Sequence, residues 1–135
     1  MRVVRITTLG LLLLFFVVLG STVGAGAETK EVEPPKWEKY DSDQYDVRYL
    51  YDKGSISFPT PNILRVRRQR IFPPGALYKE IVTLDEIDCS KQKYRTLEIK
   101  VVNRDDTVEE YRKTSEWAYI YVGMPEDYFL REHCK

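Results

Sequence analysis

Apolar and polar residues follow two different orders along this chain. Residues 9–19 (LGLLLLFFVVL) form one continuous apolar run. From Val47 onward, apolar residues recur every second position, the period that sets them on one face of a β-strand. Residues 47–51 (VRYLY) are rich in β-formers and stop at Asp52-Lys53-Gly54, a turn signal. Residues 55–58 (SISF) alternate and stop at Pro59-Thr60-Pro61-Asn62, where two prolines forbid a central strand. These segments predict a first hairpin closed across residues 52–54. Ile63–Ile71 (ILRVRRQRI) predicts a third strand. It sets Leu64, Val66, Arg68 and Arg70 on one face, and Ile63, Arg65, Arg67, Gln69 and Ile71 on the other.

Tyr78–Asp88 reads as a strand rather than a short helix, because Ile81, Val82 and Thr83 are β-formers. Tyr78, Val82 and Leu84 share its apolar side, with Glu80 the exception. In residues 94–102, Leu97, Ile99 and Val101 oppose Thr96, Glu98 and Lys100. A turn at residues 103–106 leads to two last strands, 107–111 and 117–121. The end differs. Met124-Pro125-Glu126-Asp127 opens a helix running to about Cys134, with Pro125 in the first turn and two acids at the positive end of the helix dipole. Leu130 and Cys134 then share a stripe that can face the sheet. The expected fold class is α+β, a mainly antiparallel sheet of about six strands flanked by a short C-terminal helix and tied by one disulfide.

The apolar run belongs to a different object. Arg2 and Arg5 precede it, small residues follow it, and Ala25-Gly26-Ala27 ends it. Basic start, apolar middle and A-x-A site are the parts of a secretory signal peptide, with cleavage expected between Ala27 and Glu28. The run falls short of the ~20 residues of a membrane span, which argues against an uncleaved anchor. The leader contains no Cys that could carry a lipid. The expected destination is the periplasm, the cell surface or the medium. Residues 28–36 (ETKEVEPPK) read as a flexible segment and 37–135 as one domain.

Composition sharpens this division. The whole chain balances 21 basic against 21 acidic residues. Without the leader, which holds two arginines and no acid, about 108 slightly acidic residues remain, enough for one core and not two. A multidomain enzyme and a basic nucleic-acid coat are excluded. Cys89 and Cys134 are an even count in a small exported chain, which favours a disulfide. Closing a loop of ~46 residues is worth roughly 4 kcal/mol in the chain-entropy model. The competing use, a thiol nucleophile or metal pair, would have to draw on His133, the sole His, and lacks the usual ligand spacing. His133 itself is expected on the surface.

Few groups suggest chemistry. There is no Gly-rich phosphate loop, and Asp41, Asp43 and Asp46 miss the calcium-loop spacing, so they read as a solvated loop. Glu109 and Glu110 are strand neighbours that point to opposite faces, unlike the paired carboxylates of a glycosidase. No catalytic residue, metal or cofactor is expected. Arg65, Arg67, Arg68 and Arg70 are the densest charge feature. They are candidates to contact an acidic protein or a sulfated glycan, or else charges that protect a sheet edge from pairing. Ten tyrosines, against two Trp and five Phe, suit half-buried faces and contact surfaces. Trp117, Tyr119 and Tyr121 share one strand face, as sheet packing or as a contact surface, and Tyr119 and Tyr121 are binding candidates.

The layout has a relative. An opening Trp37, a tyrosine-rich start, Glu86-Ile87-Asp88-Cys89 followed by Tyr94-Arg95, then Trp117-Ala118-Tyr119-Ile120 and a helix ending in Cys134 resemble the surface-adhesin protein E family of Gram-negative bacteria. The resemblance covers nearly all of residues 37–134. It implies an antiparallel sheet with a disulfide-tied helix, often dimeric, no catalysis, and a role in binding host matrix and plasma proteins. The chain departs from the family in lacking the lipidation Cys, which favours a soluble periplasmic or released protein. The expected function is an exported, non-enzymatic module that binds a matrix or envelope protein through its sheet surface. The alternative is a periplasmic structural or envelope-assembly protein with a bacterial partner only. No nucleic-acid partner is expected.

Overall fold

The computed structural model describes residues 31–135; the expected leader and its cleavage site lie outside the described residues. Eight antiparallel strands form one sheet: β1 (Trp37–Ser42), β2 (Arg48–Asp52), β3 (Ser57–Thr60), β4 (Ile63–Ile71), β5 (Tyr78–Asp88), β6 (Lys93–Asn103), β7 (Val108–Tyr111) and β8 (Ala118–Tyr119). One short helix, α1 (Asp127–Glu132), follows. The long strands β4, β5 and β6 are the spine. The outer edge of β4 is shared, with β2 along Arg68–Ile71 and β3 along Ile63–Arg65. The outer edge of β6 is shared too, by β7 on Ile99–Val102 and by β8 on Lys93 and Tyr94.

That sharing corrects the expected first hairpin. β2 and β3 do not pair with each other; both pair with β4. Residues 52–55 are instead a corner that hands the chain from one half of β4 to the other. Asp52 builds it, its Oδ1 accepting from the backbone N–H groups of Lys36 (2.9 Å) and Gly54 (3.0 Å). The true first hairpin joins β1 to β2. Asp43 closes it by accepting from the amides of Tyr45 and Val47 and from the Tyr49 hydroxyl, while Asp46 takes a left-handed conformation at φ 60°. Two of the three clustered aspartates are therefore turn-makers. Asp43 acts through its carboxylate and Asp46 through its backbone conformation.

The register defines two faces. Leu64, Val66 and Arg68 of β4 lie opposite Ile87, Asp85 and Thr83 of β5, and these lie opposite Tyr94, Thr96 and Ile99 of β6. This face carries the core: Tyr51, Leu64, Val66, Ile87, Ile120 and Phe129 are buried together. Two expectations about facing change here. The core stripe of β5 is Ile81, Thr83, Asp85 and Ile87, so Val82 and Leu84 belong to the other face. In β6 a bulge opposite Leu84 and Asp85 inserts Leu97, so Ile99 and Val101 share a face with Thr96 rather than with Leu97.

The C-terminal segment covers the core face. Ile120 and the fully buried Phe129 seal it, burial worth about 1.5–3 kcal/mol for such a side chain. α1 has six residues, fewer than the ten or so expected, because the turn at residues 121–126 uses up the N-terminal part. A helix of that length does not persist alone in water. Cys134, just past its end, is bonded to Cys89 at the end of β5. His133 is half-buried, not fully exposed: it stacks on Phe129 and meets the edge of Tyr51, and burial lowers its pKa. Reducing the bridge, which spans 45 positions, should lower the unfolding free energy in urea by roughly 4 kcal/mol. A change below about 1 kcal/mol would remove the bridge from any role in holding the helix.

Candidate binding surface

The arginine run on β4 is split by the strand's own alternation. Arg68 follows Leu64 and Val66 into the covered face and is only 9% exposed. Its Nε donates to Asp85 Oδ2 and its Nη1 to Glu126 Oε1, both at 2.6 Å, and Nη1 also reaches the Tyr40 hydroxyl at 3.4 Å. Asp85 is fully buried and has two further donors, the Thr83 and Thr96 hydroxyls, each at 2.6 Å. Burial opposes the charge on Arg68, but Asp85, with Glu126, outweighs it and holds the guanidinium charged. Glu126 sits at the entry to α1, so this ion cluster joins the middle of the sheet to the start of the helix. Arg68 is thus an internal tie and cannot meet a partner as the sequence reading expected.

Arg65 points the other way, yet it too is engaged. Glu86 accepts from Arg65 Nη2 at 2.6 Å and from Arg95 Nε at 2.8 Å. Arg95 in turn lies 4.5 Å from the ring centroid of Trp117. Burial works against the Glu86 carboxylate, but its hydrogen bonds from Arg65 and Arg95 win and hold its pKa below the usual range. Of the four arginines, Arg67 and Arg70 remain exposed, on opposite faces. The run therefore does not form one positive stripe.

Among the described residues no helix lies over the face bearing Arg67. Trp37, Val82 and Leu84 are half-buried on it and give an apolar floor. Around them stand Arg67, Lys100 and Arg112, interleaved with Glu80, Glu98 and Glu110, along a shallow groove of about 410 Å³. Gln69 donates to Glu80 at 2.8 Å and fixes one wall. This open face was missed from sequence because Val82 and Leu84 look like core positions. The signal was there in their partners, since Arg67, Glu98 and Lys100 alternate onto the same side.

Tyr119 and Tyr121 are exposed, at 58% and 67%. β8 ends after Tyr119, so the aromatic ladder is not a packed layer; its core contribution is Ile120, on the opposite side. Lys93 Nζ lies 4.4 Å above the Tyr119 ring. The two tyrosines stand on the β8 end of the sheet, apart from the groove-lining residues. Among the described residues no group of three or more His, Cys, Asp or Glu side chains is arranged to hold a metal ion. Comparison with known proteins finds no matching family model, no similar curated protein and no similar solved structure.

The ion cluster yields a direct expectation. Arg68→Met keeps side-chain length but leaves Asp85 and Glu126 without their cation. Chemical denaturation should show a loss of about 3–5 kcal/mol, the range for breaking a buried pair from one side. A loss below about 1 kcal/mol would mean that the carboxylates find other partners and that the cluster does not hold the helix.

Proposed function

We propose that the chain is an exported, non-enzymatic protein-binding module of the adhesin E type, and that it binds through the open sheet face. The observation that carries this reading is the contrast between the two faces. One is sealed by Phe129, Ile120 and the disulfide. The other leaves a Trp37–Val82–Leu84 floor half-exposed inside a ring of both charge signs. An apolar centre with a polar rim is the anatomy of a protein interface.

The mixed rim also selects the partner. A sulfated polymer would meet Glu80, Glu98 and Glu110 together with the cations, and Arg65 and Arg68 are already paired. A folded protein surface carrying acids and bases in complementary positions fits better. The matrix-protein partner implied by the family resemblance and the bacterial envelope partner both satisfy that chemistry. Either partner fits the proposed export, and a disulfide is consistent with an oxidising compartment. Protease treatment of intact cells separates the two: digestion of the protein favours display, protection favours the periplasmic role.

The face itself is tested by charge reversal. Arg67 and Lys100 are exposed, so Arg67→Glu with Lys100→Glu should leave the fold intact. Captured from serum or envelope extract, a partner of the native protein should bind the double variant at least about tenfold more weakly, read by surface plasmon resonance. Equal binding by a variant of unchanged melting temperature would take the open face out of the interaction.

A further inference from the structure

Four strands, β1, β3, β7 and β8, lie on the outer edges of the sheet, and three of them are poor templates for further pairing. β1 is bulged between Lys39 and Asp41, β3 contains Pro59 and a register shift, and β8 has two residues. β7 is different. Its register with β6 is unbroken from Val108 to Tyr111, and all four of its residues are exposed. From 112 to 117 the chain neither turns nor bends and adopts no left-handed conformation, so Arg112 and Lys113 continue its line.

The backbone of β7 has a free outer side. The Asn103 N–H donates to the Thr107 carbonyl, which starts the antiparallel alternation at the turn. Thr107, Glu109 and Tyr111 therefore turn their backbone groups toward β6, and Val108 and Glu110 turn theirs outward. Among the described residues no strand pairs with that outer edge. A row of outward N–H and carbonyl groups is matched along its length by another extended backbone.

The side chains select the occupant. Residues 109–113 read Glu-Glu-Tyr-Arg-Lys, two acids before Tyr111 and two bases after it. None of these four charges enters an ion pair among the described residues. Antiparallel pairing with a second copy, about a two-fold axis at Tyr111, sets Glu110 opposite Arg112 and Glu109 opposite Lys113, each twice. The same register places the outward backbone groups of Glu110 against residue 112 of the second copy. A shift by two residues, the next register those groups allow, sets Glu110 on Glu110 or Arg112 on Arg112. The segment is thus charge-complementary to itself in one arrangement and repelled in its neighbours. We propose that β7 pairs with β7 of a second copy, antiparallel about Tyr111, so that two sheets become one. Glu110 and Arg112 also line the groove of the open face, so the second copy extends that groove with its own Glu110 and Arg112. The pairing stands on β7 alone; its use in widening the binding surface rests on the open-face reading of the function.

The test is sedimentation equilibrium of the oxidised protein at low salt. An edge pair of this length covers less than the about 1,000 Å² of a stable interface, so a weak dimer is expected, with Kd on the order of 100 µM. Glu109→Lys with Glu110→Lys makes the edge wholly basic, and Arg112→Glu with Lys113→Glu makes it wholly acidic. Each variant alone should associate at least about tenfold more weakly at unchanged melting temperature, since all four residues are exposed. The two variants mixed should form a heterodimer, and the chain carrying all four changes should dimerise again. Tyr111→Cys should oxidise to a covalent dimer, because the two positions face each other at about 4.5 Å between Cα atoms. Arg67→Glu, three strands from β7, should remain a dimer whatever becomes of partner binding, which separates this pairing from the open-face reading. A monomer at about 1 mM would overturn the proposal. So would association that both charge variants leave unchanged, which would place the contact elsewhere, and failure of the mixture to associate, which would exclude this register.

Discussion

A helix of six residues has too few internal hydrogen bonds to survive alone, yet α1 carries the fully buried Phe129 of the core. The helix must therefore be held from outside, and it is held at both ends. At its start Glu126 accepts from Arg68, which is fixed in turn by Asp85 in the middle of the sheet. At its end Cys134 is bonded to Cys89 at the tip of β5. Between the two anchors Phe129 packs edge-on against Tyr40 and Tyr51. If either anchor fails, the apolar stripe of Tyr51, Leu64, Val66 and Ile87 is open to water. The sheet has one sealed face only because these two ties exist.

The sequence carried the strands well where the pattern was local. β4 and β5 begin and end where the alternation and the flanking proline and turn signals place them. The disulfide follows from counting cysteines in a chain expected to be exported. What local pattern could not carry was pairing. Residues 52–54 look like a hairpin turn, but nothing local says that β2 and β3 will both choose β4. Nor does alternation reveal a bulge, so the pattern alone groups Leu97 with Ile99 and Val101, which the register separates. The buried cluster was the least legible feature. Arg68 on an apolar stripe read as a strand leaving the core, because its compensating acids lie 17 and 58 positions away in sequence. The candidate surface was half legible. The arginines pointed to β4 but not to their partners, and the groove needed the register of β4, β5 and β6 before its floor could be recognised.

Seen together, the charged residues fall into distinct duties. Arg68, Asp85 and Glu126 serve the fold. Arg65, Glu86 and Arg95 form a paired row that ends on Trp117. The residues of the family-like segments are structural as well: Ile87 is in the core, Asp88 closes the turn after β5 by accepting from Ser90 and Lys91, and Cys89 carries the bridge. The residues behind the resemblance also include Trp37, on the floor of the open face, and the exposed Tyr119, so they are not confined to the scaffold. Arg67 and Lys100 on the open face are exposed and enter no ion pair among the described residues.

The proposed division between a sealed face and a binding face is tested most directly by position-specific cross-linking. A photo-cross-linking residue is placed at Lys100, exposed on the open face, and separately at Arg131, exposed on the outer side of α1. Each variant is irradiated in envelope extract and in serum. A partner covalently captured from position 100 and absent from position 131 is the predicted result. Capture from position 131 alone would place the contact on the helix side and contradict the assignment of the open face.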